Sequence, residues 1–211
     1  GAVRATDGVS MKIRKGEIHA LIGPNGAGKT TLVNQLSGNL IPDSGKILFN
    51  TRDITLLKPH KRARAGLSRS FQITSVFEHM TVSENLALAI LAHERHNFRF
   101  FKNGMRAKVV EEKLPAALER IGLSERGDLS VNHLSHGEKR QLEAGMAIVG
   151  APEMLMLDEP MAGMGPGGTV EMSKLIRRLK KEMTILLVEH DMEVVFSLAD
   201  RITVLVYGVA I

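Results

Sequence analysis

The sequence predicts an α/β fold: a mostly parallel sheet covered by helices, a small antiparallel β part, and an all-helical segment inserted between the halves. Three observations carry this. The runs MLML before Asp158, TILLV at Thr184–Val188 and ITVLV at 202–206 are continuously apolar, as strands are when both faces are covered. Stripes of helical spacing lie between them. From about residue 79 to 150 no strand signal occurs, while helical periodicity recurs.

Each element has its own reason. Residues 9–13 (VSMKI) and 45–49 (GKILF) alternate apolar and polar, which suits half-exposed antiparallel strands. Ile18–Ile22 (IHALI) is a short buried-strand run; residues 31–36 (TLVNQL) follow as a helix, with Gly38 placed to cap its C-terminus. The basic stretch 58–69 (KPHKRARAGLSR) reads as a loop or short helix with a solvated face. Thr81 and Glu84 have capping-box spacing and open a helix over 85–92.

Val110, Leu114, Ala117, Leu118 and Ile121 keep helical spacing, with Pro115 either kinking that helix or marking its first turn. Ser135 and Glu138 form a second capping box ahead of a stripe of Leu142, Met146 and Val149. Met172, Leu175, Ile176 and Leu179 make the next stripe, its end followed by cations in RRLKK (177–181) that suit the helix dipole. Asp191 is placed to cap a last stripe of Met192, Val195, Phe196 and Ala199. The economical organisation is one domain over 1–211. Residues 1–78 and 151–211 form the α/β core with its antiparallel strands, and about 79–150 form a helical subdomain.

A chain of 211 residues, 44% hydrophobic and 24% charged, can bury one sizeable core. No apolar run approaches the ~20 residues that cross a bilayer. There is no cysteine, so neither disulfides nor thiolate chemistry arise. The net charge is +5. With one Tyr, seven Phe and no Trp, stacking platforms for single strands are lacking, and no nucleic-acid partner is expected.

The chemistry lies in two segments far apart. Residues 23–31 (GPNGAGKTT) satisfy Gly-x-x-x-x-Gly-Lys-Thr through Gly23, Gly28, Lys29 and Thr30, between a strand and a helix. Such a phosphate loop turns the N–H groups of Gly23, Pro24's successors Asn25, Gly26 and Ala27, then Gly28 toward anionic oxygens where a Cβ would intrude. Lys29 supplies charge to the outer phosphates, the Thr30 hydroxyl can ligate Mg²⁺, and Thr31 opens the helix whose dipole favours the anion. The second segment, MLMLDEP, puts Asp158 at the C-terminal end of a buried strand, where ligand sites gather in open α/β sheets. Asp158 can hold Mg²⁺ opposite Thr30, and Glu159 can polarise an attacking water. Taken singly, Gln72 is any surface amide, Ser135 any helix cap, and His190 a histidine that an interior could satisfy.

In order, GPNGAGKTT, Gln72, LSHGE (134–138), LMLDEP and His190 resemble the nucleotide-binding subunit of ATP-binding-cassette (ABC) transporters along nearly the whole chain. The stretches SRSFQ, TVSENL and LLVEHDMEVVFSLADRITVL look most like subunits of branched-chain amino-acid or urea uptake systems. The lipopolysaccharide-export ATPase is a similar relative. The resemblance implies a P-loop NTPase (RecA-like) core, and ATP and Mg²⁺ as ligands. It further implies that Thr30, Asp158 and Gln72 organise Mg²⁺, that Glu159 activates water, and that His190 and Lys29 contact the γ-phosphate. Ser135 and Gly137, with Glu138 closing their turn, would bind the nucleotide of a second subunit. The catalytic unit is then a head-to-tail homo- or heterodimer, peripheral on the cytoplasmic face of the inner membrane. Permease subunits would be docked there, and an extracytoplasmic solute-binding protein would belong to the same system.

Departures from the pattern are His136 and Glu138 in the signature, Gly165 where the family has Asp or Asn, and no aromatic ahead of Phe49 to stack on adenine. By comparison with the family the segment reads as clipped at both ends. Two other classes compete. A ribosome- or nucleic-acid-directed soluble ABC ATPase is suggested only by the positive charge, and a phosphate-loop small-molecule kinase is disfavoured by LSHGE.

Overall fold

A computed structural model describes residues 4–70, 76–94 and 108–211. In chain order the described elements are β1 (Ile18–Ile22), α1 (Lys29–Ser37), β2 (Leu48–Phe49), β3 (Arg52–Asp53), α2 (Pro59–Arg64), β4 (Leu67–Arg69), α3 (Val82–His93) and α4 (Lys108–Ile121). They continue as α5 (His136–Ile148), β5 (Met154–Asp158), α6 (Pro166–Leu179), β6 (Thr184–Val188), α7 (Met192–Leu198), β7 (Arg201–Val206) and β8 (Val209–Ala210). One sheet has the order β4-β5-β6-β1-β7-β8, and β2-β3 form a separate hairpin. Strands β4, β5, β6, β1 and β7 are parallel, and β8 folds back antiparallel. The architecture is that of a P-loop NTPase, a mostly parallel sheet with a small antiparallel part and helices.

Register decides which residues can share a site. Asp158 of β5 lies opposite Val188 of β6, and Val188 opposite Leu21 of β1. The carboxyl ends of three neighbouring strands are therefore level. Every residue of β5 and β6 is buried, as continuous apolar runs require. The expectation for ITVLV is corrected: Leu205 is buried, but Ile202 is 36% exposed. Along β7 only Leu205 is fully buried, and its neighbours other than Ile202 are half-buried.

The chain forms two compact units. The first comprises Gly1–Arg69, Pro152–Glu159 and Lys180–Ile211. Its core joins Leu21, Leu32, Val33, Met156, Leu186 and Leu205, with Val9, Met11, Ile13 and Phe49 packed against it. Residues 9–13 alternate in burial as their pattern demands but form no strand. Alternation reports which side chains face a core; a strand also needs a neighbouring backbone to pair with. Of the GKILF segment only Leu48–Phe49 pair as a strand, β2, joined to β3 by Asn50 and Thr51 at φ 48° and 66°. Two left-handed residues in a two-residue loop match the strand twist. Helix α1 ends at Gly38, whose φ of 84° only glycine adopts without strain.

The second unit comprises Ser70–Ala151 and Pro160–Leu179. Thr81 caps α3 reciprocally with Glu84, at 3.1 and 2.7 Å. The fully buried Asn85 ties down the approach to it, accepting from the N–H of Phe77 and donating to the carbonyls of Phe77 and Thr81. Pro115 lies inside α4, well past a first turn, while Val110, Leu118 and Ile121 are buried. The stripe of α6 is buried as expected at Met172, Leu175, Ile176 and Leu179.

Two other stripes are rotated. In α5 the buried line runs through Leu142, Gly145 and Ile148, while Met146 is only half-buried and Val149 partly buried against the Ala87, Ile90, Leu91 and Val110 cluster. A Cβ at Gly145 would come within 2.9 Å of Ile121, so close helix packing chose that face. In α7, part of the first unit, Val194, Val195 and Leu198 are buried, and Phe196 is 71% exposed.

Candidate functional site

The loop after β1 is built from backbone packed against backbone. Gly23 and Gly28 have φ 151° and 101°. A Cβ at Gly23 would fall 2.1 Å from the carbonyl oxygen of Leu205, and one at Gly28 1.9 Å from that of Ala5. These two glycines are thus demanded by the protein behind the loop. Gly26, at φ 79°, has nothing within 4 Å of a built Cβ, so its side of the loop is open. The Ala27 N–H donates to Pro24 at 3.1 Å, while the Ala27 carbonyl accepts from Gly208 at 2.9 Å.

Gly28 begins α1 without a side chain to cap it. The first-turn N–H groups therefore remain for an anion. Lys29 is buried, and its Nζ donates to the carbonyls of Gly23 and Pro24 at 2.6 and 3.1 Å. Pro24, Asn25, Gly26 and Thr30 are exposed, and Thr31 is half-buried.

Two further strands deliver their end residues to the same edge. Asp158, 4% exposed, closes β5 and accepts from Arg69 Nη2 at 2.8 Å. Glu159 follows at φ 49°, a left-handed conformation that costs a non-glycine residue of order 1–3 kcal/mol. Its N–H donates to Val188 at 2.9 Å, which holds that conformation by extending the ladder. After β6 the Glu189 side chain is buried and accepts from the His190 N–H at 3.1 Å, with His190 Nδ1 3.8 Å away. The His190 side chain is 63% exposed, so this is no satisfied interior histidine. Asp191 then caps α7 through the N–H groups of Glu193 and Val194, at 2.9 and 3.3 Å.

The donors here are hydroxyl and carboxylate oxygens. No group of three His, Cys, Asp or Glu gathers among the described residues. That fits Mg²⁺, which takes one or two carboxylates plus substrate oxygens and water, and does not fit a soft metal. Gln72 lies outside the described residues.

In the second unit the LSHGE segment starts α5. Ser135 Oγ accepts from the Glu138 N–H at 3.2 Å, and Glu138 Oε2 accepts from the Ser135 N–H at 2.8 Å. The cap uses an acceptor lone pair and leaves the exposed hydroxyl's hydrogen to donate elsewhere. Gly137 packs against the start of α6, where its Cβ would stand 3.4 Å from Gly168 Cα. A Cβ at Gly163 would stand 3.4 Å from the His136 ring.

Burial pushes the Glu138 carboxyl up, but the Ser135 N–H and Arg126, at 3.1 Å, bring it below the ordinary value of 4.5. A depressed carboxyl adds stability that is complete above the unfolded value and lost as pH falls through the folded one. Glu138→Gln is therefore expected to destabilise the chain by about 1 kcal/mol at neutral pH. The difference should shrink steadily below pH 4.5, measured by urea unfolding across a pH series.

Sequence reasoning missed Arg62 and Arg69, both inside the stretch read as a solvated face. Arg62 is 1% exposed, and Arg69 touches Asp158. The apolar Ala65 and Leu67 shortly before Arg69 in the AGLSR run were the available signal.

A family model described as "ABC transporter" matches residues 6–162. The high-affinity branched-chain amino acid transport ATP-binding protein LivG of Salmonella typhimurium (strain LT2) is 41% identical, over 99% of this chain and 84% of LivG. BraF of Pseudomonas aeruginosa, of the same description, is 39% identical over the same shares. Among solved structures, the ADP conformation of an ATP-binding cassette of an ABC transporter superposes with a TM-score of 0.83 at 34% identity, covering 98% of this chain and 83% of that one.

Proposed function

This chain belongs to the ABC transporter family as an ATP-binding, ATP-hydrolysing cassette, and from that premise we propose that it powers uptake of branched-chain or similar hydrophobic amino acids. One observation carries the nucleotide chemistry. The phosphate loop, the Asp158–Glu159 pair and His190 leave the carboxyl ends of β1, β5 and β6, three adjacent strands in level register. The solute rests on the relatives: two proteins about 40% identical over nearly the whole chain carry branched-chain amino-acid transport in their names.

In this reading the loop N–H groups and Lys29 hold the β- and γ-phosphates. Thr30, Asp158 and Gln72 hold Mg²⁺, which when bound neutralises charge on the phosphate oxygens. Glu159 takes a proton from the attacking water, and His190, exposed at the next strand end, contacts the γ-phosphate. Ser135 and Gly137, their turn closed by Glu138, donate to the nucleotide of a second copy arranged head to tail. ATP held by both subunits favours their closed pairing only through its differential affinity for that state. The single-domain division, with about 79–150 as a helical subdomain, belongs to the same proposal. So do the partners: permease subunits met at the cytoplasmic face of the inner membrane, where the chain is peripheral, and an extracytoplasmic solute-binding protein.

Equilibrium dialysis with ATP and Mg²⁺ tests the core of this. Lys29→Ala removes a charge-assisted contact of about 1.5–3 kcal/mol, so affinity should fall about 10- to 100-fold. Equal retention by the two proteins, or none by the unaltered chain, overturns the reading. For the solute, deleting the gene should abolish high-affinity leucine uptake; unchanged uptake would point to another cargo.

A further inference from the structure

We propose that Arg69 is the positioning residue of the Mg²⁺ site, a role that rests on the nucleotide chemistry proposed above. Its side chain is 12% exposed and that of Asp158 2%, with Nη2 2.8 Å from Asp158 Oδ2. The other arm of the guanidinium, Nη1, donates to Asn34 Oδ1 at 2.7 Å and to Ser37 Oγ at 3.2 Å. Both acceptors belong to α1. Asn34 stands four residues after Thr30, one helical turn along the same face.

A single planar fork, anchored on β4, thus joins the strand end that carries Asp158 to the helix that carries Thr30. These are the two described residues that would hold the metal. Engaging Oδ2 leaves Oδ1 as the oxygen available to a cation. A guanidinium suits this position because its geometry is fixed, whereas a lysine ammonium on a flexible stem could satisfy Asp158 without holding α1. Outer partners of metal ligands typically matter 10- to 100-fold in affinity.

The alternative is that Arg69 acts only as a positive charge. It would then repel Mg²⁺, and its removal would tighten the metal. Positioning and charge predict opposite signs, so one measurement separates them.

The readout is ATP affinity of the full chain by fluorescence titration, once in EDTA and once in saturating Mg²⁺. The ratio of the two dissociation constants measures metal coupling. Arg69→Met is expected to leave the EDTA value unchanged and to reduce the ratio about 10-fold or more. Arg69→Lys, which keeps the charge, should fail to restore it. Asn34→Ala, which touches neither Asp158 nor the charge, should lower the ratio in the same direction by a smaller factor. This variant decides the matter should Arg69→Met not fold.

An unchanged or increased ratio in the variants, rescue by lysine, or a ratio of one in the unaltered chain would overturn the assignment. Failure of the unaltered chain to bind ATP in saturating Mg²⁺ as well as in EDTA would instead sink the nucleotide reading itself.

Discussion

Glu159→Gln is expected to keep ATP bound while hydrolysing it about 10²- to 10⁴-fold more slowly, the range a positioned general base contributes. The substitution is nearly isosteric and leaves untouched the N–H bond to Val188 that fixes this residue at φ 49°. Fold and loop should persist, so the loss isolates proton transfer. Trapped ATP should also make the variant accumulate as a dimer, read by size exclusion in ATP and Mg²⁺ alongside single-turnover phosphate release. Unchanged turnover would remove Glu159 as the base. The left-handed backbone adds an internal check: Glu159→Gly should be inactive yet at least as stable, because glycine adopts that conformation without strain. A carboxylate kept where a glycine would be easier is what a catalytic demand looks like.

Arg62→Met should be strongly destabilising although it lies outside the site, by about 3–5 kcal/mol. Arg62 is 1% exposed, and its guanidinium donates to four carbonyls: Leu57 at 2.8 Å, Gln35 at 2.6 Å, Leu36 at 2.7 Å and Thr55 at 2.7 Å. Two of these, Gln35 and Leu36, lie in the last turn of α1, where a cation opposes the helix dipole favourably. Burial pulls the arginine below its ordinary pKa, but not far enough to discharge it at neutral pH.

Methionine fills the volume and strips the guanidinium's donors from those oxygens, of which that of Gln35 keeps the Gly38 N–H at 3.3 Å. Each oxygen left without a donor costs about 1–3 kcal/mol before relaxation. Lysine cannot reach four acceptors with one ammonium, so Arg62→Lys should rescue only a minor part. A fall of roughly 10 °C in Tm corresponds to such a loss in a chain of this size. Urea unfolding provides the free energy directly. A loss below ~1 kcal/mol would mean water replaces the guanidinium, and the arginine would then be dispensable for holding α1.

The helix caps show what can be read locally. Thr81 with Glu84, Ser135 with Glu138, Asp191 and Gly38 all cap as their spacing predicts. A cap is a bargain among residues three or four apart, so the sequence contains every partner. The apolar runs of β5 and β6 were legible for a similar reason: burial on both faces leaves polar residues only at the strand ends, Asp158 and Thr184. The rotated faces of α5 and α7 were not, since apolar residues such as Met146 and Phe196 sat beside the true stripe and only neighbouring helices decide between them.

The sequence by itself determined the chemical vocabulary of this protein: a phosphate loop, an acidic strand end, a serine-capped signature turn, and alternating strands and helices. Residue type and short spacing suffice for all of these. Tertiary structure decided which strand ends meet, through the register that sets Leu21, Val188 and Asp158 level. It also decided that two of the basic residues in 58–69 serve the interior, Arg62 on backbone carbonyls and Arg69 on Asp158. A charge is drawn inward only when distant segments bring acceptors to it, and those acceptors come from elements up to 89 positions away, as Asp158 is from Arg69.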